Sequence, residues 1–156
     1  MPETVCWGVF KRSDVTSLLP SGGKVTLDED LEFDMHGSTV RSSTCVLYVD
    51  GNNKFLASVS RHRSAETIDW STWSKNDPDE LRVGTKAIIW GKGDGLLAGA
   101  ASYVTCGSEA PENARYLELD ITAWAIPKAD EARVTLEKQI EDFTEYASTE
   151  LSCTPR

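Results

Sequence analysis

The feature that most constrains the fold is a long amphipathic segment near the C-terminus, residues 128–153. Its apolar residues recur at steps of three and four, which places them on one face of an α-helix. Asp130 and Glu131 stand in the predicted first turn, where carboxylates favour the positive end of the helix. The predicted apolar face consists of Ala132, Leu136, Ile140, Phe143, Ala147 and Leu151. A stripe this long must pack against another apolar surface.

The segment just before this helix alternates between apolar and other residues, which predicts a β-strand over residues 115–124. One predicted face of this strand carries Leu117, Leu119, Ile121 and Ala123. The opposite face carries Tyr116, Glu118, Asp120, Thr122 and Trp124. We expect the first face to lie under the C-terminal helix.

The rest of the chain reads as further strands with short helices. Two β-branched runs, 44–49 and 55–60, flank an Asp-Gly-Asn-Asn turn and predict a β-hairpin. Ser13 has the position of an N-cap for a short helix. The remaining predicted elements are helices over 14–19 and 64–73 and strands over 25–33, 86–90 and 96–106. The predicted fold is one α+β domain over residues 1–156, with a mostly antiparallel sheet of five or six strands and the long helix across one face.

Charge limits the kinds of partner. The chain has 156 residues and a formal net charge of −9, which argues against nucleic acid or an anionic membrane as partner. The sequence contains no run of about 18 apolar residues, so it predicts no membrane span. The first residues do not resemble a signal peptide. We therefore expect either a cytosolic protein or the mature part of an exported one. We also expect a monomer.

The cysteines favour the exported alternative. Cys6, Cys45, Cys106 and Cys153 lie far apart and form neither a CxxC redox motif nor the close ligand pairs that zinc prefers. Four such cysteines indicate two disulfides formed in an oxidising compartment, whereas free buried thiols are the alternative. Three connectivities are open to four cysteines.

No catalytic, metal or cofactor motif stands out. The histidines, His36 and His62, lie in no zinc-ligand spacing, and we expect them to be exposed on the surface. Acidic pairs such as Asp28 with Asp30 and Glu118 with Asp120 are expected by chance in a chain with 25 acidic residues. We therefore predict no catalytic residue, no metal and no cofactor.

Aromatic residues are the best functional signal. The chain has five tryptophans, and Trp70, Trp73, Tyr116 and Trp124 are not needed by the predicted main core. Flat aromatic rings beside carboxylates and hydroxyls suit a saccharide or a protein ligand. The competing interpretation places these four residues in a second small core on the other face of the sheet. Trp7 and Trp90 are assigned to the main core.

The order of these features resembles a known group of proteins. A cysteine before a short helix (Cys6, then SDVTSLLP), a strand starting at a second cysteine (CVLYVDG), a glycine-containing strand entry (RVGTKAIIW) and a closing amphipathic helix are similar to exported, often lipid-anchored actinobacterial proteins with a PsbP/LpqN-like α/β sandwich. The resemblance implies an accessory or binding module rather than an enzyme. It also implies a Cys6–Cys45 disulfide, which leaves Cys106 to pair with Cys153.

Three functions are compared on this basis. The first is a non-catalytic extracytoplasmic binding module, accessory to the cell envelope, with an unknown protein or glycan ligand. The second is a carboxylate-based hydrolase of an envelope glycan, which needs a pocket holding two buried acids. The third is a small secreted protease inhibitor, whose reactive loop would have to be residues 107–114.

Overall fold

The fold is built from nine β-strands and two α-helices in the described part of the chain. A computed structural model describes residues 2–30, 33, 41–64, 87–90, 97–106, 110–124, 126–127, 129–151 and 153–155. The elements in chain order are β1 (Thr4–Val5), β2 (Phe10–Lys11), α1 (Arg12–Thr16), β3 (Val25–Glu29), β4 (Ser42–Val49), β5 (Asn52–His62), β6 (Ala87–Trp90), β7 (Leu97–Cys106), β8 (Tyr116–Trp124), α2 (Ala129–Thr149) and β9 (Cys153–Pro155).

The main sheet is antiparallel at every described pairing. Six strands follow one another in the order β3-β4-β5-β8-β7-β6. The short strand β9 pairs with the end of β7, opposite residues 104–106, whereas β6 pairs with residues 97–100. The path has six strands, within the predicted five or six, and β9 adds a seventh to the sheet. Three residues are too few to show a hydrophobic period, so the sequence does not reveal β9.

The predicted stack of the C-terminal helix on β8 is confirmed. The helix ends at Thr149, before the end of the predicted segment, so Leu151 of the predicted apolar face follows it. All six residues of that face are buried, and so are Leu117, Leu119, Ile121 and Ala123 of β8. The helix packs on β7, β9, β6 and β8, so it covers one half of the sheet. Full burial of a Leu, Ile or Phe side chain stabilises a fold by about 2 kcal/mol. This helix–sheet contact is consequently a principal source of stability.

The N-terminal residues cover the other half of the same sheet face. Phe10 of β2 is fully buried, with its ring centroid 6.0 Å from that of Phe55 on β5 and 5.4 Å from that of Phe143 on α2. Val15 of α1 and the following Leu18 and Leu19 are also buried. A small two-stranded sheet of β1 and β2 and the helix α1 thus complete the core beside α2.

The predicted β4–β5 hairpin is also confirmed, with a tighter turn than the four residues proposed. Asp50 and Gly51 occupy the turn with φ values of 51° and 79°. Such left-handed pairs match the twist of two-residue hairpins. Asn52 and Asn53 join β5, where they face Val49 and Tyr48.

The start of α1 and the end of β3 differ from the predictions. Lys11, and not Ser13, is the N-cap residue of α1, and its side chain makes no capping hydrogen bond. The pairing of β2 with β1 carries the chain directly into the helix, which therefore begins two residues earlier than a Ser13 cap allows. Strand β3 ends at Glu29, short of the predicted residue 33. The predicted helix over 64–73 lies outside the described residues from position 65 onward.

Candidate functional site

The candidate site lies on the sheet face opposite α2. Alternation along β8 places Tyr116, Glu118, Asp120, Thr122 and Trp124 on this face, and all of them are half-buried. Register brings Ser58 of β5 opposite Asp120 and Ser60 opposite Glu118. We call the residues His62, Tyr103, Tyr116, Glu118 and Asp120 the polar-face cluster.

A histidine and two carboxylates form the centre of the polar-face cluster. His62 lies opposite Tyr116, so Glu118 is its diagonal neighbour on the adjoining strand. Nε2 of His62 is 2.8 Å from Oε1 of Glu118, and the two side chains are only 7% and 17% exposed. Because an ionised carboxylate only accepts hydrogen bonds, Nε2 carries the proton in this contact.

Asp120 is the most perturbed acid in the described part of the chain. Burial, then a hydrogen bond to Glu118, and finally the negative charge of Glu118 raise the pKa of Asp120 well above its ordinary value. The neutral carboxyl is therefore favoured, and its hydroxyl donates to Glu118. Oδ1 of Asp120 is buried, and no described residue donates a hydrogen bond to it.

Two tyrosines border the acids on one side. Tyr103 of β7 lies opposite Glu118, and Tyr116 lies next along β8 on the same face. Their ring centroids are 6.3 Å apart, with the ring planes tilted by 58°. The cluster thus combines aromatic rings, carboxyl oxygens and hydroxyl groups within one small area.

The structure places two of the four predicted ligand residues on this face. Tyr116 and Trp124 stand at opposite ends of β8, eight residues apart, which is about 27 Å along a strand. A small ligand cannot contact both, whereas an extended one can. Trp70 and Trp73 lie outside the described residues, so their part in a shared site or in a second core stays a prediction.

The prediction that His62 is an exposed surface residue is wrong. The residue is 8% exposed and hydrogen-bonded to Glu118. The neighbouring Arg61 points to the opposite sheet face, where its guanidinium lies 4.9 Å from the Phe33 ring centroid and donates to Asn113. Because a strand sends consecutive side chains to opposite faces, His62 lies on the other face from Arg61. His36 lies outside the described residues.

Residue counts also hide the importance of the pair Glu118 and Asp120. In a chain with 25 acidic residues, these two look like one chance pair among many. Their spacing of two on an alternating strand, together with Ser58, Ser60 and His62 at the same spacing on β5, was the available signal. The sequence does not reveal the strand order, because only the tertiary structure makes β5 the neighbour of β8.

Both predicted disulfides are present. Cys6 is bonded to Cys45 and Cys106 to Cys153, the pairs that the resemblance implies, and the described residues contain no free cysteine. The first bridge joins the β1–β2 turn to the core face of β4. The second joins β9 to β7 at directly opposed positions, so it holds the end of the chain after α2.

The remaining predictions concern a metal site, the acidic edge of β3 and the proposed inhibitor loop. The described histidine, cysteine and acidic residues include no group arranged to hold a metal ion. Asp28 is exposed, and Asp30 accepts hydrogen bonds from the backbone and hydroxyl of Thr44, so this acidic edge is partly structural. In the loop proposed for an inhibitor, residues 112–114 pack beside β5, and Ala114 is fully buried.

No protein-family model, curated protein or solved structure matches this chain. Among the described residues, neither helix is long and apolar enough to cross a membrane.

Proposed function

We propose that this protein is a non-catalytic extracytoplasmic binding module, accessory to the cell envelope, that holds its ligand on the polar-face cluster. The observation that carries the proposal is the buried Oδ1 of Asp120, to which no described residue donates. A buried acceptor without a donor costs about 1–3 kcal/mol. This oxygen is covered in the unliganded protein, so a ligand reaches it only when the covering side chains move aside. A ligand hydroxyl or amide that then donates to it would recover that free energy.

The surroundings of Asp120 suit a ligand with both polar groups and flat apolar faces. Tyr103 and Tyr116 present ring faces and hydroxyls, and Glu118 is held in place by His62. A site whose side chains are already fixed loses little conformational entropy on binding. An envelope glycan and an exported protein both have the required chemistry.

The two disulfides support the extracytoplasmic part of the proposal. Disulfides persist in oxidising compartments and are rare in the reducing cytosol. Each bridge closes a long loop, with sequence separations of 39 and 47 residues, so both are positioned to stabilise the fold. The resemblance to exported actinobacterial proteins also supports an extracytoplasmic location.

A carboxylate-based hydrolase is the alternative that the same acids raise. Glycoside hydrolases hold their two carboxyl groups about 5 Å apart or further, to leave room for the sugar or for water. The hydrogen bond with Glu118 and its negative charge both raise the pKa of Asp120, so the two acids share one proton. A proton shared by Glu118 and Asp120 suits a structural role better than the separate acid and base of glycoside hydrolysis.

The test is a binding screen of the purified oxidised protein against cell-wall polysaccharides and exported proteins. Asp120→Leu removes the carboxyl oxygens at similar volume and should weaken binding at least tenfold. Glu141→Leu, at an exposed position on α2, is the matched control and should leave binding unchanged. Equal binding by Asp120→Leu would place the ligand elsewhere, and release of products from a bound glycan would contradict a non-catalytic role.

A further inference from the structure

A groove on the other side of the molecule separates the N-terminal turn from the C-terminal half of α2. Its volume is about 760 Å³, within the range of small-ligand sites. Trp7, Gly8 and Val9 form one wall, and Tyr146 and Glu145 contribute to the other. The groove is remote from the polar-face cluster because α2 packs on the opposite face of the sheet.

Trp7 is the central feature of this groove and is not the core residue that the sequence predicts. It is only partly buried and packs on the edge of the core. Its ring lies nearly parallel to those of Tyr146 and Phe143, with centroid distances of 6.5 Å and 6.3 Å. Its Nε1 donates to the backbone carbonyl of Asp30 at 2.9 Å. The indole is therefore fixed before any ligand arrives.

The backbone that presents Trp7 is strained. Cys6, Trp7 and Gly8 are three consecutive left-handed residues, with φ values of 55°, 61° and 81°. Left-handed conformations are unfavourable for residues with a side chain, and such strain is concentrated at functional sites. Glycine would fit position 7 without this strain, yet a tryptophan occupies it. The Cys6–Cys45 disulfide and the hydrogen bond from the Trp7 amide to Glu29 hold the turn in place.

The charges that line the groove nearly balance. Two lysines, Lys11 and Lys138, stand against three acids, Asp142, Glu145 and Glu150. Lys138 is already engaged, at 3.1 Å from Asp14 and 3.0 Å from Asp142. Neither a strongly basic nor a strongly acidic ligand meets a complementary surface here. A neutral ligand with many hydroxyls is complementary to this groove, because its hydroxyls can donate to the carboxylates and accept from lysine.

We propose that this groove is a binding site for a neutral saccharide that packs its C–H face on the fixed Trp7 indole and hydrogen-bonds to Glu145 and its neighbours. The negative face of an aromatic ring attracts the partly positive C–H groups of a sugar ring. The groove shares no residue with the polar-face cluster, so this proposal goes beyond the proposed function and can be tested independently of it.

The experiment is a two-dimensional NMR titration of the oxidised protein with cello-, malto- and chito-oligosaccharides as probes. We expect at least one of them to shift the Trp7 indole N–H and the amides of residues 145–150. Trp7→Gly removes the ring and suits the left-handed backbone, and it should weaken that binding at least tenfold. Glu145→Gln, an exposed position that leaves the core intact, should weaken it at least threefold.

Glu141→Gln is the matched control, because Glu141 is exposed on the same helix outside the groove, and it should change the affinity less than twofold. Unchanged affinity in Glu145→Gln overturns the proposal even where Trp7→Gly fails to fold. Shifts confined to Tyr103, Tyr116 and their neighbours would overturn it while supporting the proposed function. The absence of any shift with all three probes would also overturn it.

Discussion

At the scale of single residues, the most informative group is Asp120. Its carboxyl is buried on a sheet beside another acid, and both burial and the Glu118 contact raise its pKa. A free aspartate in the unfolded chain has a pKa near 3.9. The folded state therefore holds the proton to higher pH than the unfolded state does, and this difference links stability to pH.

The sign of this linkage gives a first prediction. Below about pH 3.9 Asp120 is protonated in both states, so it adds no pH dependence there. As pH rises towards the raised folded pKa, the unfolded state releases the proton first, and the free energy of unfolding falls. Asp120→Asn keeps a neutral group of the same shape. We expect its stability advantage over the native protein to grow from about pH 4 upward and to level off above the folded pKa.

Urea denaturation at a series of pH values measures this difference. Asp28→Asn is the matched control, because Asp28 is exposed on β3, and it should change the free energy of unfolding by less than about 0.5 kcal/mol throughout. A constant difference between Asp120→Asn and the native protein from acid to neutral pH would contradict a raised pKa for Asp120.

At the scale of elements, α2 is the clearest case of structure dictated by pattern. Leu136 is fully buried in the middle of the helix, whereas Val134, two positions earlier, is 69% exposed. Both are apolar, so their different surroundings follow from helical geometry rather than from residue type.

This contrast gives a second prediction. Leu136→Ala removes buried methyl groups and leaves a cavity, and it should lower the free energy of unfolding by about 2–5 kcal/mol. Val134→Ala on the same helix should cost less than about 0.5 kcal/mol, because alanine has the higher helix propensity. Chemical denaturation of both variants provides the measurement. Similar losses in the two variants would mean that α2 does not present this face to the sheet.

A third prediction concerns the β4–β5 turn. Gly51 has a φ of 79°, and a side chain there would meet no atom within 4 Å, so its only penalty is conformational. Gly51→Ala should therefore cost about 1–2 kcal/mol. Asn53→Ala, at an exposed strand position, is the control and should cost less than about 0.5 kcal/mol. Thermal and urea unfolding together measure both, and no loss in Gly51→Ala would argue against a two-residue turn.

At the scale of the whole molecule, the disulfides tie together parts that are distant in sequence. Cys6–Cys45 attaches the N-terminal turn to the sheet, and Cys106–Cys153 attaches the end of the chain to β7. In the chain-entropy account, a bridge closing a loop of this length stabilises a fold by up to about 4 kcal/mol.

The fourth prediction follows from this. Replacing either pair by serines should lower the free energy of unfolding by about 2–4 kcal/mol, and reduction of the native protein should cost more than either replacement alone. Denaturation with and without reductant measures the losses. Thiol titration of protein isolated under native conditions should find no free thiol, and four free thiols would contradict both the bridges and the oxidising compartment.

The sequence by itself determined the elements whose periodicity is regular and long. The helix over Ala129–Thr149, the alternation of β8 and the β4–β5 hairpin each repeat a local signal often enough to be read without a structure. Short elements were misjudged or missed, as with the cap of α1 and the strand β9, because a few residues contain no period and long-range contacts decide their conformation.

Only the tertiary structure decided which side chains meet. Strand order makes β5 the neighbour of β8, and this alone brings His62 to Glu118 and Asp120. It also brings Trp7 from the start of the chain to Tyr146 near its end. Periodicity specifies the face on which a residue lies, but the partner across that face depends on how distant segments pack, and local sequence does not encode that packing.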